Sequence, residues 1–164
     1  MLKGLRNQHG MTLAEILVAL AIIGIGLVAL AAAIPLAGYG IQEGSQLSTA
    51  TFLANQRLEQ VRNASWSATP VVDNLGVSAS TSVPPQSAAT VTFPDEGPMA
   101  APYTGYSRTV RVRDCSTGGG CSGIVDATMR QVTVTVTYTP ITGVGQAASG
   151  TTKSAVVTMY ITQR

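Results

Sequence analysis

The sequence predicts an α+β protein, one long amino-terminal helix followed by a small antiparallel β-sheet. Three observations predict it. From Ile16 to Gly38 there are 23 residues without a charge. Beyond them Leu47, Ala50, Ala54, Leu58 and Val61 recur every three or four residues, the spacing of one helix face. Nearer the carboxyl terminus, three segments are built as half-buried strands, two of them alternating apolar with polar residues.

The helix comes first. At about 1.5 Å of rise per residue the uncharged run is roughly 35 Å long, enough to cross a hydrocarbon core of about 30 Å. Gly24, Gly26 and Pro35 lie inside it. Spanning helices tolerate both residue types where neighbours re-satisfy the backbone. Pro35 lacks an N–H, which predicts a kink or weak point between Ala31 and Gly38. Gly24-Ile25-Gly26 is no nucleotide loop, because it lacks a preceding strand and a third glycine. A secretory signal peptide has a shorter apolar segment, about 7–15 residues. Lys3 and Arg6 stand before the run, which places the amino terminus in the cytoplasm and everything after Gly38 outside it.

Ahead of the helix is a basic leader, Met1 to Gly10, with Lys3, Arg6 and His9. It runs into Gly10-Met11-Thr12-Leu13-Ala14-Glu15. A charge in a bilayer costs about 2.5–3.5 kcal/mol at mid-depth and less near the end of a span. Glu15 therefore needs a compensating charge. The unpaired N–H groups and positive dipole end of a first helical turn supply part of it. A cationic amino terminus one turn away, created by cleavage after Gly10, would supply the rest. An ordinary signal anchor capped by Glu15 leaves Gly10-Met11-Thr12-Leu13 unexplained.

These residues resemble the amino terminus of type IV prepilins and type II secretion pseudopilins: a short basic leader ending in glycine, then Met11, Thr12-Leu13-Ala14-Glu15 and an unbroken apolar helix. Phe is commonest after the cut in that family, so Met11 is a minor departure. The resemblance implies cleavage between Gly10 and Met11 by a prepilin peptidase and N-methylation of Met11 by its methyltransferase activity. It implies that Glu15 meets the amino terminus of a neighbouring subunit, and that the helix melts near Pro35 in an assembled filament. The segment from Thr51 to Arg62 is similar to the one following the anchor in PilV-type minor pilins and in minor pseudopilins. The implied organisation is a leader over 1–10, a membrane-spanning and filament-core helix over 11–38, an amphipathic helix half over 39–65 and a periplasmic β-rich domain over 66–164. The implied fold is pilin-like. The implied partners are other pilins, major and minor, and an inner-membrane assembly platform. The implied location is the inner membrane before assembly and the pilus on the cell surface afterwards.

Loss of the leader would leave 154 of 164 residues, and the 10 Lys and Arg, less Lys3 and Arg6, would leave 8 basic against 8 acidic side chains. A near-neutral product is no general polyanion binder. Charged residues are only 11% of the chain, and Thr, Ser, Ala, Gly and Val dominate, as suits an exported β-rich domain. Cys115 and Cys121, five residues apart across Ser-Thr-Gly-Gly-Gly, predict a disulfide in an exported chain. They are not spaced as a redox pair. The one histidine, His9, lies in the leader, so the sequence predicts no metal site and no cofactor.

After the helix, Asn63 to Pro85 reads as loop, with Trp66 an anchor packed at the helix end. Arg57, Glu59 and Arg62 sit off the apolar stripe. Ala88 to Phe93 reads as a short strand. Pro94-Asp95-Glu96-Gly97-Pro98 reads as a turn, whose two acids fall short of a calcium cage of six to eight oxygens. Tyr106 to Arg113 sets Val110 and Val112 against Arg111 and Arg113. Met129 to Tyr138 sets Val132, Val134 and Val136 against Thr133, Thr135 and Thr137. Ala155 to Thr162 is a third strand, rich in β-branched residues. Thr139 to Thr152, with Pro140, Gly143, Gly145 and Gly150, reads as a long exposed connection. Arg108, Arg111, Arg113 and Arg130, with Tyr103, Tyr106 and Tyr138 nearby, would form a DNA-capturing patch if they gather on one sheet region.

The function this favours is a minor type IV pilin, a structural subunit with roles in pilus assembly, motility, adhesion or DNA uptake. A minor pseudopilin of type II secretion shares every anchor motif. An anchored enzyme finds no nucleophile with a base, no acid pair and no phosphate loop here. An anchored binding module predicts an uncut leader.

Overall fold

A computed structural model describes residues 12–116, 121–140 and 151–164. Helix α1 runs from Leu13 to Arg62, 50 residues. It passes through Pro35 without interruption, so the expected weak point leaves no break in the helix here. The helix continues past Gly44, as the apolar spacing predicts. It ends where Asn63 N–H bonds the Glu59 carbonyl and Ala64 N–H bonds the Val61 carbonyl, with Arg62 in the last turn beside the negative dipole end.

The chain divides into two units, residues up to Ile41 and Gln42–Arg164. In the first, the apolar side chains from Leu13 to Ile34 are exposed, and none of the most apolar 18-residue window is buried. This is the one helix among the described residues that is long and apolar enough to cross a membrane.

The second unit is built on a three-stranded antiparallel sheet. We label the strands β1 (Trp66–Ser67), β2 (Val72–Asp73), β3 (Gln86–Ser87), β4 (Thr90–Val91), β5 (Tyr106–Asp114), β6 (Met129–Tyr138) and β7 (Lys153–Thr162). The large sheet has the order β5-β6-β7. Its register sets Val110 opposite Val134 and Val112 opposite Val132, then Val134 opposite Val157 and Val132 opposite Met159. One face is therefore a band of valines, and it closes on Ala50, Leu53, Ala54 and Val61 of α1, with Trp66 and Leu75 filling the end. Burying such a side chain is worth roughly 1.5–3 kcal/mol, so this band is the main source of cohesion in the unit. The opposite face carries Arg111, Thr133 and Thr158 in one row.

Three expectations need correction. Leu47 is 46% exposed, and Leu53, at 1%, takes its place on the buried stripe. The stripe runs through Gln46, Ala50, Leu53, Ala54, Arg57 and Val61, so Arg57 lies on it, not off it; its side chain is 12% exposed. The strand expected over Ala88 to Phe93 is instead the hairpin β3–β4, with Ala88 and Ala89 at positive φ in its turn. The connection over 141–150 and the centre of the Cys115–Cys121 loop lie outside the described residues.

Candidate functional site

The amino-terminal end of α1 is organised by Thr12. Its carbonyl accepts the N–H groups of Glu15 at 3.1 Å and Ile16 at 3.3 Å. Its Oγ1 also accepts the Glu15 N–H at 3.3 Å. Thr12 is thus the N-cap, three residues before Glu15, and the helix starts where the Thr-x-x-Glu spacing would start it. That spacing was the signal for the cap, and it adds a local reason for the threonine beside its place in the leader pattern. Glu15 is exposed in the first turn and forms no ion pair among the described residues. Gly10 and Met11 lie outside the described residues.

The first turn offers a carboxylate, orphan N–H groups and a positive dipole end. Beyond it runs apolar surface with no partner in this chain. A surface of that kind, bearing one acid at its tip, is suited to a bilayer or to other apolar helices, where the acid can be met by one cation.

In the second unit the structure separates the arginines that were expected to gather. Arg108 shares the core face with Val110 and Val112 and is 5% exposed. Its Nε and Nη2 donate to Glu96 Oε2 at 3.0 and 2.5 Å, and its Nη1 donates to the Leu53 carbonyl at 3.0 Å. Arg57 of α1 reaches the other oxygen of Glu96 at 3.0 Å and lies over the Phe93 ring. Burial holds the Arg57 pKa below its ordinary value, against the pull of Glu96. Arg111, on the outer face, pairs with Asp95 at 2.6 Å. Arg130 pairs with Asp73 at 2.8 Å and stacks 4.2 Å above the Trp66 ring. Only Arg113 of the four is exposed without an ion pair among the described residues.

The tyrosines do not form a stacking platform. Tyr138 is buried, and Tyr103 and Tyr106 pack against the core. The Tyr106 hydroxyl lies 3.5 Å from the Gln46 carbonyl. The basic patch expected for DNA capture is thus not assembled: three guanidinium groups are neutralised internally, on two sheet faces. Asp95 and Glu96, adjacent in sequence, turn to different arginines and do not converge on a cation. Among the described residues no group of three or more His, Cys, Asp or Glu side chains could hold a metal ion.

Cys115 and Cys121 are bonded, both fully buried, with Cα atoms 5.1 Å apart. Trp66 is buried at the end of α1, where the sequence placed it.

Residues 5–31 match the prokaryotic N-terminal methylation motif. The match spans most of the leader, Thr12, Glu15 and the first half of the apolar run. It supports a type IV pilin or pseudopilin, points to a structural subunit and implies processing by a prepilin peptidase and assembly with other pilins. No curated protein matches the chain. No solved structure matches it.

Proposed function

We propose that this chain is a minor type IV pilin of the PilV type. The observation that carries this reading is the coincidence of the methylation motif with a helix that Thr12 caps, that holds Glu15 in its first turn and whose apolar surface is bare up to Ile41. The leader over 1–10 is removed between Gly10 and Met11, and Met11 is N-methylated. Residues 11–38 wait in the inner membrane as a single-pass anchor with the globular domain in the periplasm. On assembly they enter the filament core, where Glu15 is neutralised by the amino terminus of a neighbouring subunit and Pro35 is the place where the helix loosens. Residues 39–65 carry the amphipathic half and 66–164 the β-rich domain. A retained Glu15 fits insertion below another subunit rather than the outermost tip position. The DNA-capture role loses its support with the arginine patch.

Mass spectrometry of the mature protein tests the processing. The expected product begins at methylated Met11; a product beginning at Met1 in cells with an active processing peptidase overturns the reading. Incorporation of Glu15→Ala into sheared filaments tests the assembly role, with reduced incorporation expected and normal incorporation refuting it. Recovery with a type II secretion pseudopilus instead of a pilus would reassign the subunit to the minor pseudopilins.

A further inference from the structure

The large sheet has two edges, and the chain treats them differently. The outer edge of β5 is closed: the Val112 carbonyl accepts Ser78 N–H at 2.8 Å, the Tyr106 carbonyl accepts Met99 N–H at 2.9 Å, and Arg108 and Glu96 exchange a pair of backbone bonds. The outer edge of β7 is open. Which of its groups point outward follows from the residues just past its end. Gln163 N–H bonds the Thr128 carbonyl on the β6 side at 2.7 Å. Arg164 N–H bonds the Trp66 carbonyl at 3.0 Å on the other side, and the Arg164 carbonyl accepts Ala68 N–H at 3.1 Å. Successive residues alternate, so Ser154, Val156, Thr158, Tyr160 and Thr162 turn N–H and C=O away from β6. None of these five has a backbone partner on that side among the described residues.

Edges are ordinarily protected by proline, a charged side chain, a bulge or a covering loop. From Ser154 to Thr162 there is no proline, glycine or charged residue, and the register with β6 is unbroken. We propose that this edge is a strand-addition site and that its occupant is β7 of a second copy, antiparallel about a two-fold axis at Thr158. The strand's own sequence fits this occupant. The outward residues are even-numbered in both copies, so Thr158 meets Thr158, Val156 meets Tyr160 and Ser154 meets Thr162. Val156, 58% exposed, and Tyr160, 44% exposed, are the large apolar side chains on the outer face of β7. This register pairs them twice, β-branched against aromatic, a favoured cross-strand combination. Lys153 falls opposite Gln163, so no like charges meet. Because the contact is isologous and the remaining edges are the closed β5 edges, the product is a finite six-stranded dimer and not an open fibre. The proposal does not depend on cleavage at Gly10 and stands or falls separately from it.

The test uses the full chain in detergent micelles. Both native cysteines are bonded, so an introduced thiol reports alone. Thr158→Cys should give a covalent dimer under mild oxidation, because residues facing each other in a hydrogen-bonded pair sit about 5.5 Å apart at Cα, within disulfide range. Tyr160→Cys alone should not, its copies being offset by four residues, roughly 13 Å. Sedimentation of the unmodified chain should show a dimer. Thr158→Pro should make it a monomer, since that N–H points outward and its loss leaves the bonds to β6 intact. Should the proline variant fail to fold, Val156→Lys with Tyr160→Lys asks the same question by setting lysines opposite each other. A monomeric unmodified chain, equal crosslinking of the Thr158→Cys and Tyr160→Cys variants, or a dimer that survives the proline or lysine substitutions would each overturn the proposal.

Discussion

Arg108 and Glu96 are joined twice. Their backbones exchange N–H···O bonds at 2.6 and 2.9 Å, and Nε and Nη2 of the arginine converge on one oxygen of the carboxylate. The other oxygen takes Arg57 from α1. One exposed-edge acid thereby holds a helix arginine and a strand arginine that both lie on the core face. The turn carrying Glu96 thus fastens α1 to β5 beside the valine core.

Glu96→Ala should therefore cost more than a surface ion pair. It leaves two largely buried guanidinium groups without their carboxylate. Breaking a buried pair costs about 3–5 kcal/mol, and Glu96 is 31% exposed, so a loss of about 2–4 kcal/mol is expected. Urea unfolding of the full chain measures it. A loss under about 1 kcal/mol, the range of a surface pair, would show that water substitutes for the carboxylate.

The β3–β4 turn should accept a stabilising change. Ala88 and Ala89 sit at φ of 47° and 65°, a region where an L residue with a side chain is strained by about 1–2 kcal/mol. Type I′ hairpin turns favour Asn-Gly at these two positions. Ala88→Asn with Ala89→Gly should raise stability by about 0.5–1 kcal/mol, read as a higher thermal midpoint, the relief being reduced by glycine's extra freedom in the unfolded chain.

That hairpin also marks where the sequence stops being legible. Strands β5 and β6 could be read to within a residue or two, because one face is packed and the other wet, and alternation is the trace of that asymmetry. At Ala88-Ala89 no glycine or asparagine announces a turn; tertiary contacts impose one. On α1 the apolar spacing is broken by Gln46 and Arg57, polar residues on the buried stripe that have partners across from them. Leu47, one position away, then looks like the better member of the face. Arg108 hides for the same reason: alternation puts it with Val110 and Val112, but its charge suggests the wet side until Glu96 is seen beside it. The candidate site was more legible, since the leader and the Thr-x-x-Glu spacing are local signals that need no tertiary context.

Opening the Cys115–Cys121 bond should lower stability by about 2 kcal/mol. The closed loop is short, so the chain-entropy gain is modest. Both sulfurs are fully buried, so replacement by a pair of alanines should lose little packing beyond this. Unfolding with and without reductant measures the difference, and an unchanged midpoint would mean that the loop is equally confined when reduced.

Asp73 should make the fold acid-sensitive. Burial opposes its charge, but the hydrogen bond from Arg130 and the N–H groups of Gly76 and Leu75 outweigh that, holding its carboxyl below the usual range. The folded chain therefore binds fewer protons at this site than the unfolded chain wherever the two differ. Its contribution is fully present above the unfolded value, about 3.9, and drains away as pH falls through that value towards the depressed folded one. Asp73→Asn removes the charge at every pH. Its stability deficit against the unmodified chain should be constant from about pH 7 to 5 and shrink below about pH 4, where the native carboxyl itself becomes protonated. A deficit that stays the same from about pH 7 to about pH 3 would mean that Asp73 acts through shape and neutral hydrogen bonds, and that its pairing with Arg130 over Trp66 adds nothing electrostatic.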